Sequence, residues 1–142
     1  MLFRSVAVEK SKDALKWLHR NIAKHEVNVR VVEEGVETAL MGVKCDVVVA
    51  NPPYLPDDQE IPIELKFEPD LALFGGKGDG MESPREFIKA ATRLLKSGGL
   101  LAIEHNEVQG PLITKELSLD FEEIATYQDL NERPRFTIAR RK

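Results

Sequence analysis

Residues 45–54 read Cys-Asp-Val-Val-Val-Ala-Asn-Pro-Pro-Tyr, and this stretch decides the fold. Cys45 to Ala50 places β-branched side chains at consecutive positions, the pattern of a strand buried on both faces of a parallel sheet. The strand ends abruptly at Asn51-Pro52-Pro53-Tyr54. Two prolines lock φ and remove two N–H donors, so the turn is stiff and its carbonyls are free to accept. In an open α/β sheet, ligands bind beyond the carboxyl ends of the strands. Asn51 offers a side-chain carbonyl at that edge. With the Pro52 carbonyl it could accept both hydrogens of a planar amino group and aim the nitrogen at an electrophile. Tyr54 could lay its ring over the amide or base carrying that nitrogen. Asn-Pro also marks simple turns, but the Val-rich strand before it and the aromatic after it favour binding.

Upstream, Val6 to Glu9 reads as a short strand ending in an acid. Ser11 is placed to cap a helix whose Ala14, Leu15, Leu18 and Ile22 recur at helical spacing, with Trp17 at the edge of that face. Val27 to Val32 follows as a strand, then a helical turn over Glu37 to Leu40. Downstream, thirty residues from Asn51 to Gly80 carry prolines at 52, 53, 56, 62 and 69 and glycines at 75, 76, 78 and 80. A loop this long in a compact domain is usually functional or disordered. Its spread of apolar residues predicts that it packs. Ser83-Pro84-Arg85-Glu86 reads as a capping box opening a helix. Phe87, Ile88, Ala91, Leu94 and Leu95 would form its stripe, and Gly98-Gly99 its end. Leu100 to Glu104 is the next strand and 112–117 a helix. Phe121 to Tyr127 and Phe136 to Ala139 make a closing hairpin. Alternating strands and helices predict an α/β domain with a mostly parallel sheet.

The chain has 142 residues, 42% hydrophobic and 31% charged, with 20 Lys+Arg against 24 Asp+Glu. That is one ordinary globular domain, residues 1–142. No apolar run approaches the ~20 residues of a membrane span, and the N-terminus lacks a secretion-signal pattern. A cytoplasmic protein without membrane attachment is expected. One cysteine, Cys45, excludes an internal disulfide and reads as a small core residue. His19, His25 and His105 lack metal-ligand spacing, so no metal site is expected and surface or capping roles suit them. Gly75-Gly76-Lys77-Gly78-Asp79-Gly80 lacks the Gly-Lys-Ser/Thr ending of a phosphate loop. A net charge of −4 argues against a dedicated duplex-DNA binder. Arg133, Arg135, Arg140, Arg141 and Lys142 gather positive charge at the end of the chain, and a solvated hairpin is the simpler reading.

Asp46-Val47-Val48-Val49-Ala50-Asn51-Pro52-Pro53-Tyr54 resembles motif IV of the S-adenosylmethionine (SAM) enzymes that methylate amide or exocyclic base nitrogens. The segments from Phe67 to Ile88, Leu94 to Gly110, Asp129 to Arg141 and Val6 to His25 resemble, in turn, parts of the HemK/PrmC family of release-factor glutamine methyltransferases. The resemblance covers nearly the whole chain. It implies a Rossmann-like class I SAM-methyltransferase fold with a C-terminal antiparallel hairpin. It implies SAM as cofactor and the glutamine of a Gly-Gly-Gln loop in a peptide-chain release factor as acceptor. Glu9 would then bind the cofactor ribose. Asn51 and Pro52 would hold the acceptor amide, Pro53 would stiffen the turn, Tyr54 would pack on the substrate, and Glu68 would belong to the substrate-side wall. Asn51 would also border the cofactor. Glu34, one position out of the family's register, is the candidate for the adenine contact. Positioning and electrostatics would do most of the catalytic work.

Three departures accompany the likeness. The glycine loop carries one residue more than the family's GG-x-DG. The acid after the third family strand is shifted. No acidic, glycine-rich D/E-x-G-x-G-x-G loop precedes Glu9, which only eight residues precede. The expectation is a partial catalytic domain lacking the first, central strand, with weak SAM binding by itself. A second copy of the chain would be one way to fill that gap, making a homodimer an expectation. The rival readings are a nucleic-acid amino-methyltransferase acting on adenine or guanine, and an inactive α/β fragment that self-associates.

Overall fold

The computed structural model describes residues 4–142, arranged as two compact units, one running through Gly42 and the other from Val43 to Lys142. In the first unit β1 (Ser5–Val8) leads through α1 (Lys12–Lys24) to β2 (Val29–Val32). The strands pair in parallel, Ser5 opposite Val29 and Val8 opposite Val32. Ser11 caps α1, its Oγ accepting the Ala14 N–H at 3.3 Å, which satisfies a donor the helix start would leave unpaired. Leu15 is buried as its spacing predicts. Trp17 is 62% exposed, with the Arg20 guanidinium 4.6 Å from its ring centre, so it lies outside the packed face. Residues 37–40 form a turn closed by the Thr38 and Ala39 N–H groups on the Gly35 carbonyl.

The second unit contains β3 (Cys45–Ala50), β4 (Leu55–Pro56), a 3-10 turn (Ile63–Phe67), α2 (Asp70–Leu73), β5 (Phe74–Gly76), α3 (Glu82–Leu94), β6 (Leu95–Glu104), α4 (Gly110–Leu117), β7 (Phe121–Gln128) and β8 (Pro134–Arg141). Its main sheet has the order β3-β6-β8-β7. β3 runs parallel to β6, while β8 is antiparallel to both β6 and β7. Ile88 and Ala91 of α3 and Ile113 and Leu117 of α4 pack with Ala50, Leu101, Ile103, Phe121 and Ala139. Fully burying a side chain such as Leu101 contributes about 1.5–3 kcal/mol.

Four local expectations change. β3 is an edge strand of its sheet. Val48 and Ala50 face the core, but Val47 and Val49 are 51% and 81% exposed, so burial on both faces does not hold. α3 begins at Glu82, placing Ser83 inside the helix, and Met81 at its N-cap makes no side-chain capping bond. Asp79 acts just upstream instead, its Oδ1 accepting the Met81 N–H at 3.0 Å. At its other end α3 stops at Leu94, because Leu95 is extended (φ −75°, ψ 141°) and already belongs to β6. Gly98, at φ +78°, serves an irregularity within β6, where the β3 register shifts between Cys45 and Val47. In the long loop, Tyr54, Leu55, Leu73 and Phe74 are half-buried, whereas Ile63, Phe67 and Leu71 are exposed. Ile61 and Leu65 are half-buried as well, so packing holds at the two ends and only in part in the middle.

Candidate active site

β3 delivers Asn51-Pro52-Pro53-Tyr54 to the carboxyl edge of the main sheet. Pro52 is fully buried and anchors the turn, while Asn51 is exposed. Neither the Asn51 carboxamide nor the Pro52 carbonyl is engaged in a hydrogen bond among the described residues. These are the two acceptors that the sequence singles out. Downstream the turn is tied in on several sides. The Tyr54 N–H donates to the Leu73 carbonyl at 3.1 Å. Leu55 and Pro56 then run parallel to Phe74–Gly76.

Tyr54 is half-buried, and its hydroxyl donates to Glu104 Oε1 at 3.0 Å. Burial, and then the Glu104 carboxylate, hold the phenol above its ordinary range, so it stays a donor. Glu104 is the last residue of β6, and strand pairing sets it opposite Phe136. The Tyr54 ring is thus oriented by the neighbouring strand.

The glycine loop has a structural task. A Cβ on Gly75 would press on the Gly80 carbonyl oxygen and lie 2.7 Å from the Pro53 oxygen and 2.8 Å from Tyr54 Cα. A Cβ on Gly80, at φ +67°, would press on the Tyr54 oxygen. Only glycine allows two backbones to approach so closely. Asp79 accepts the Arg85 Nη2 at 3.1 Å, and Arg85 Nε reaches Glu116 at 2.9 Å, so the loop is also pinned to α3 and α4.

Behind the turn lies a buried polar set. Gln109 is 2% exposed; its Nε2 donates to the Tyr54 carbonyl at 2.9 Å and the Asp79 carbonyl at 2.7 Å, and its Oε1 accepts the Asn106 N–H at 2.9 Å. His105 is fully buried, with Nδ1 2.8 Å from the Asn106 carbonyl and Nε2 2.9 Å from Thr137 Oγ1. Burial lowers its pKa, partly offset by the Asn106 carbonyl. This corrects the surface or capping role read for His105. Sequence reasoning assigned no role to Glu104 or Gln109. The position of Glu104 at the end of an apolar strand was the one available signal, and for Gln109 only its place in the turn before α4.

The other sequence-derived candidates are Glu68, Glu9 and Glu34. Glu68 is exposed after the 3-10 turn, and its described bond is from its backbone N–H to the Leu65 carbonyl at 3.0 Å. No hydrogen bond joins its side chain to the Asn51–Tyr54 turn among the described residues. Glu9 and Glu34 belong to the first unit, each just past the carboxyl end of a strand. The Glu9 carboxylate accepts the Ser11 N–H at 2.7 Å through Oε1, which leaves Oε2 for an outside donor. Glu34 is exposed.

The cations at the end of the chain are engaged internally. Arg133 meets Glu107 at 3.9 Å, Arg135 Asp129 at 3.3 Å, Arg140 Glu123 at 2.8 Å and Arg141 Asp120 at 3.4 Å. Lys142 Nζ donates to the Ser118 and Leu119 carbonyls at 2.7 and 3.0 Å. No helix among the described residues is long and apolar enough to cross a membrane.

No protein-family model matches the chain. Curated relatives do. The chain is 38% identical over 141 residues to a release factor glutamine methyltransferase of Streptomyces coelicolor, covering 95% of this chain and 50% of that protein. It is 37% identical over 139 residues to one of Xylella fastidiosa, with the same coverage. It spans about half the length of the curated relatives it matches. Among solved structures, a Pyrococcus furiosus methyltransferase superposes with TM-score 0.66 at 18% identity, covering 95% of this chain and 61% of that one. A SAM-dependent O-methyltransferase of Thermotoga maritima superposes with TM-score 0.68 at 14% identity, covering 96% and 49%. These likenesses show the fold of the SAM-dependent methyltransferases. By sequence, the chain is similar to the release factor glutamine methyltransferases over 95% of its own length.

Proposed function

We propose that residues 1–142 serve as a partial catalytic domain that methylates the side-chain amide nitrogen of a glutamine in a peptide-chain release factor. The observation that carries this reading is the pair of unengaged acceptors, the Asn51 carboxamide and the Pro52 carbonyl, on a turn whose Tyr54 N–H, carbonyl and hydroxyl are all bonded. A glutamine –NH2 has two donors to match them. Gripping both hydrogens turns the nitrogen lone pair outward, and Tyr54, braced on Glu104, walls the amide plane.

SAM, when bound, supplies a methyl group made electrophilic by its sulfonium. Glu9 suits the ribose hydroxyls, since Ser11 holds one of its oxygens and leaves the other available. Glu34 is the residue assigned to the adenine side, and Glu68 to the acceptor's outer wall. The sequence holds no D/E-x-G-x-G-x-G loop, through whose backbone a cofactor is closely approached, so this chain alone binds SAM weakly. A cytoplasmic location goes with this reading. A homodimer, in which a second copy pairs with an open strand edge, is part of this reading as well.

A nucleic-acid acceptor would use the same turn. A protein acceptor is favoured because the C-terminal cations are paired internally, which leaves little unpaired charge on the closing hairpin for phosphate contacts. The test is labelled-methyl transfer at saturating SAM to release factor, RNA and DNA, with Asn51→Ala beside the parent chain. Label is expected in release factor, with transfer lowered about 10²-fold or more by Asn51→Ala. Label in nucleic acid alone would overturn the reading.

A further inference from the structure

We infer that Gln109 is a positioning residue, a buried clamp that sets the acceptor-binding turn through the Tyr54 carbonyl. The inference takes the proposed transfer reaction as its setting and adds to it a residue outside the motif.

Gln109 is the N-cap residue of α4, and its backbone carbonyl accepts the Ile113 N–H at 2.9 Å. Its side chain turns away from the helix and is 2% exposed. The three amide bonds use both Nε2 hydrogens and the Oε1 atom on three different segments: the turn at Tyr54, the glycine loop at Asp79 and the strand exit at Asn106. A primary amide bonded this way has one orientation, since flipping it would set Oε1 against two carbonyl oxygens and Nε2 against an N–H. Away from water such bonds are strong, and losing one leaves a carbonyl unpaired.

The Tyr54 carbonyl lies two peptide units beyond Pro52. Proline rings at 52 and 53 leave those units few free dihedrals, so holding Tyr54 holds the Pro52 carbonyl and Asn51 as well. The start of the glycine loop directs the chain after the turn by pairing Leu55 and Pro56 with Phe74–Gly76 and bounds Pro53 and Tyr54 by close backbone approach; Gln109 adds the bond on the Tyr54 carbonyl itself. Gln109 bonds both partners, Tyr54 and Asp79, from the same nitrogen and thereby sets their separation.

Two substitutions divide the role. Gln109→Glu keeps an acceptor for the Asn106 N–H but turns an oxygen toward the two carbonyls. Gln109→Met keeps the volume and removes all three bonds. Native-state hydrogen exchange on the whole chain reads the clamp without requiring turnover. In both variants the Tyr54 amide, bonded to Leu73, is expected to exchange at least tenfold faster, while Leu101 and Ile103 amides in β6 keep their protection. Methyl transfer to release factor at saturating SAM is expected to fall about 10²-fold in kcat, with the KM for SAM unchanged. Unchanged exchange at Tyr54 would overturn the inference. So would an equal loss of protection at Tyr54, Leu101 and Ile103 in both variants, which marks Gln109 as general core. If the parent chain methylates only nucleic acid, the release-factor reading fails, and the exchange arm still decides the clamp.

Discussion

Replacing Gly75 with alanine tests the idea that two backbones must touch for the acceptor turn to form. The added Cβ would lie 2.7 Å from the Pro53 oxygen and 2.8 Å from Tyr54 Cα, and closer still to the Gly80 oxygen. All three obstacles are backbone atoms, so no flexible side chain can swing aside. Ordinary non-bonded separations are about 3.5–4.0 Å, so the segments must part by roughly 1 Å. Overpacking of this kind costs about 1–3 kcal/mol. Parting also strains the Gln109 bond to Tyr54, whose net worth is about 0.5–1.5 kcal/mol. A loss of about 3 kcal/mol follows, a large share of the 5–15 kcal/mol typical of a domain. Gly78→Ala is the control. Its Cβ would meet nothing within 4 Å, but its φ of +65° is left-handed, so about 1–2 kcal/mol is expected from backbone strain. Urea unfolding followed by circular dichroism measures both. Equal losses, or a greater loss at Gly78, would refute close backbone approach as the reason for Gly75.

Two further outcomes are expected. Burial holds the folded pKa of His105 below its unfolded value, so the unfolded chain takes up a proton that the folded chain resists. The His105 contribution is therefore intact above about pH 6.5 and is lost as pH falls toward the depressed folded value. His105→Gln should flatten the stability slope between about pH 7 and 5. Asp79 and Asp129 are held low first by backbone N–H bonds, and the stability they gain is lost only as pH falls below about 4, so a slope unaltered by the substitution would disprove the assignment. Titration calorimetry of SAM into this chain should give a Kd weaker than about 100 μM, a binding energy smaller than roughly 5.5 kcal/mol. Tight binding would show that the first unit grips the cofactor without a glycine-rich loop.

Much of the architecture was legible because it rests on local rules. Ser11 caps α1 as its side chain allows. The apolar run from Leu100 becomes the second half of β6, and the hairpin of β7 and β8 follows two apolar runs around a polar turn. The stiffness of the Asn51–Tyr54 turn was legible for the same reason, since two prolines restrict a backbone whatever surrounds them. Boundaries set by competition were not. Asp79 takes the Met81 N–H, so α3 starts one residue ahead of the Ser83 that resembles its cap. Strand pairing carries β6 back through Gly98-Gly99 to Leu95, where a helix end was expected.

By itself the sequence determined the α/β alternation, the stiff Asn51–Tyr54 turn and the likeness to the release factor glutamine methyltransferases, because each depends on residue type and spacing along the chain. The tertiary structure alone decided that β3 is an edge strand and that Glu104 braces Tyr54. It also decided that Gln109 joins three segments lying 55 and 30 residues away and at its own strand exit. Those facts depend on which groups meet after folding. A glutamine looks the same in a string of letters whether solvent or three backbone groups will satisfy it. Burial makes the difference, because a polar group removed from water must find all its partners in the protein.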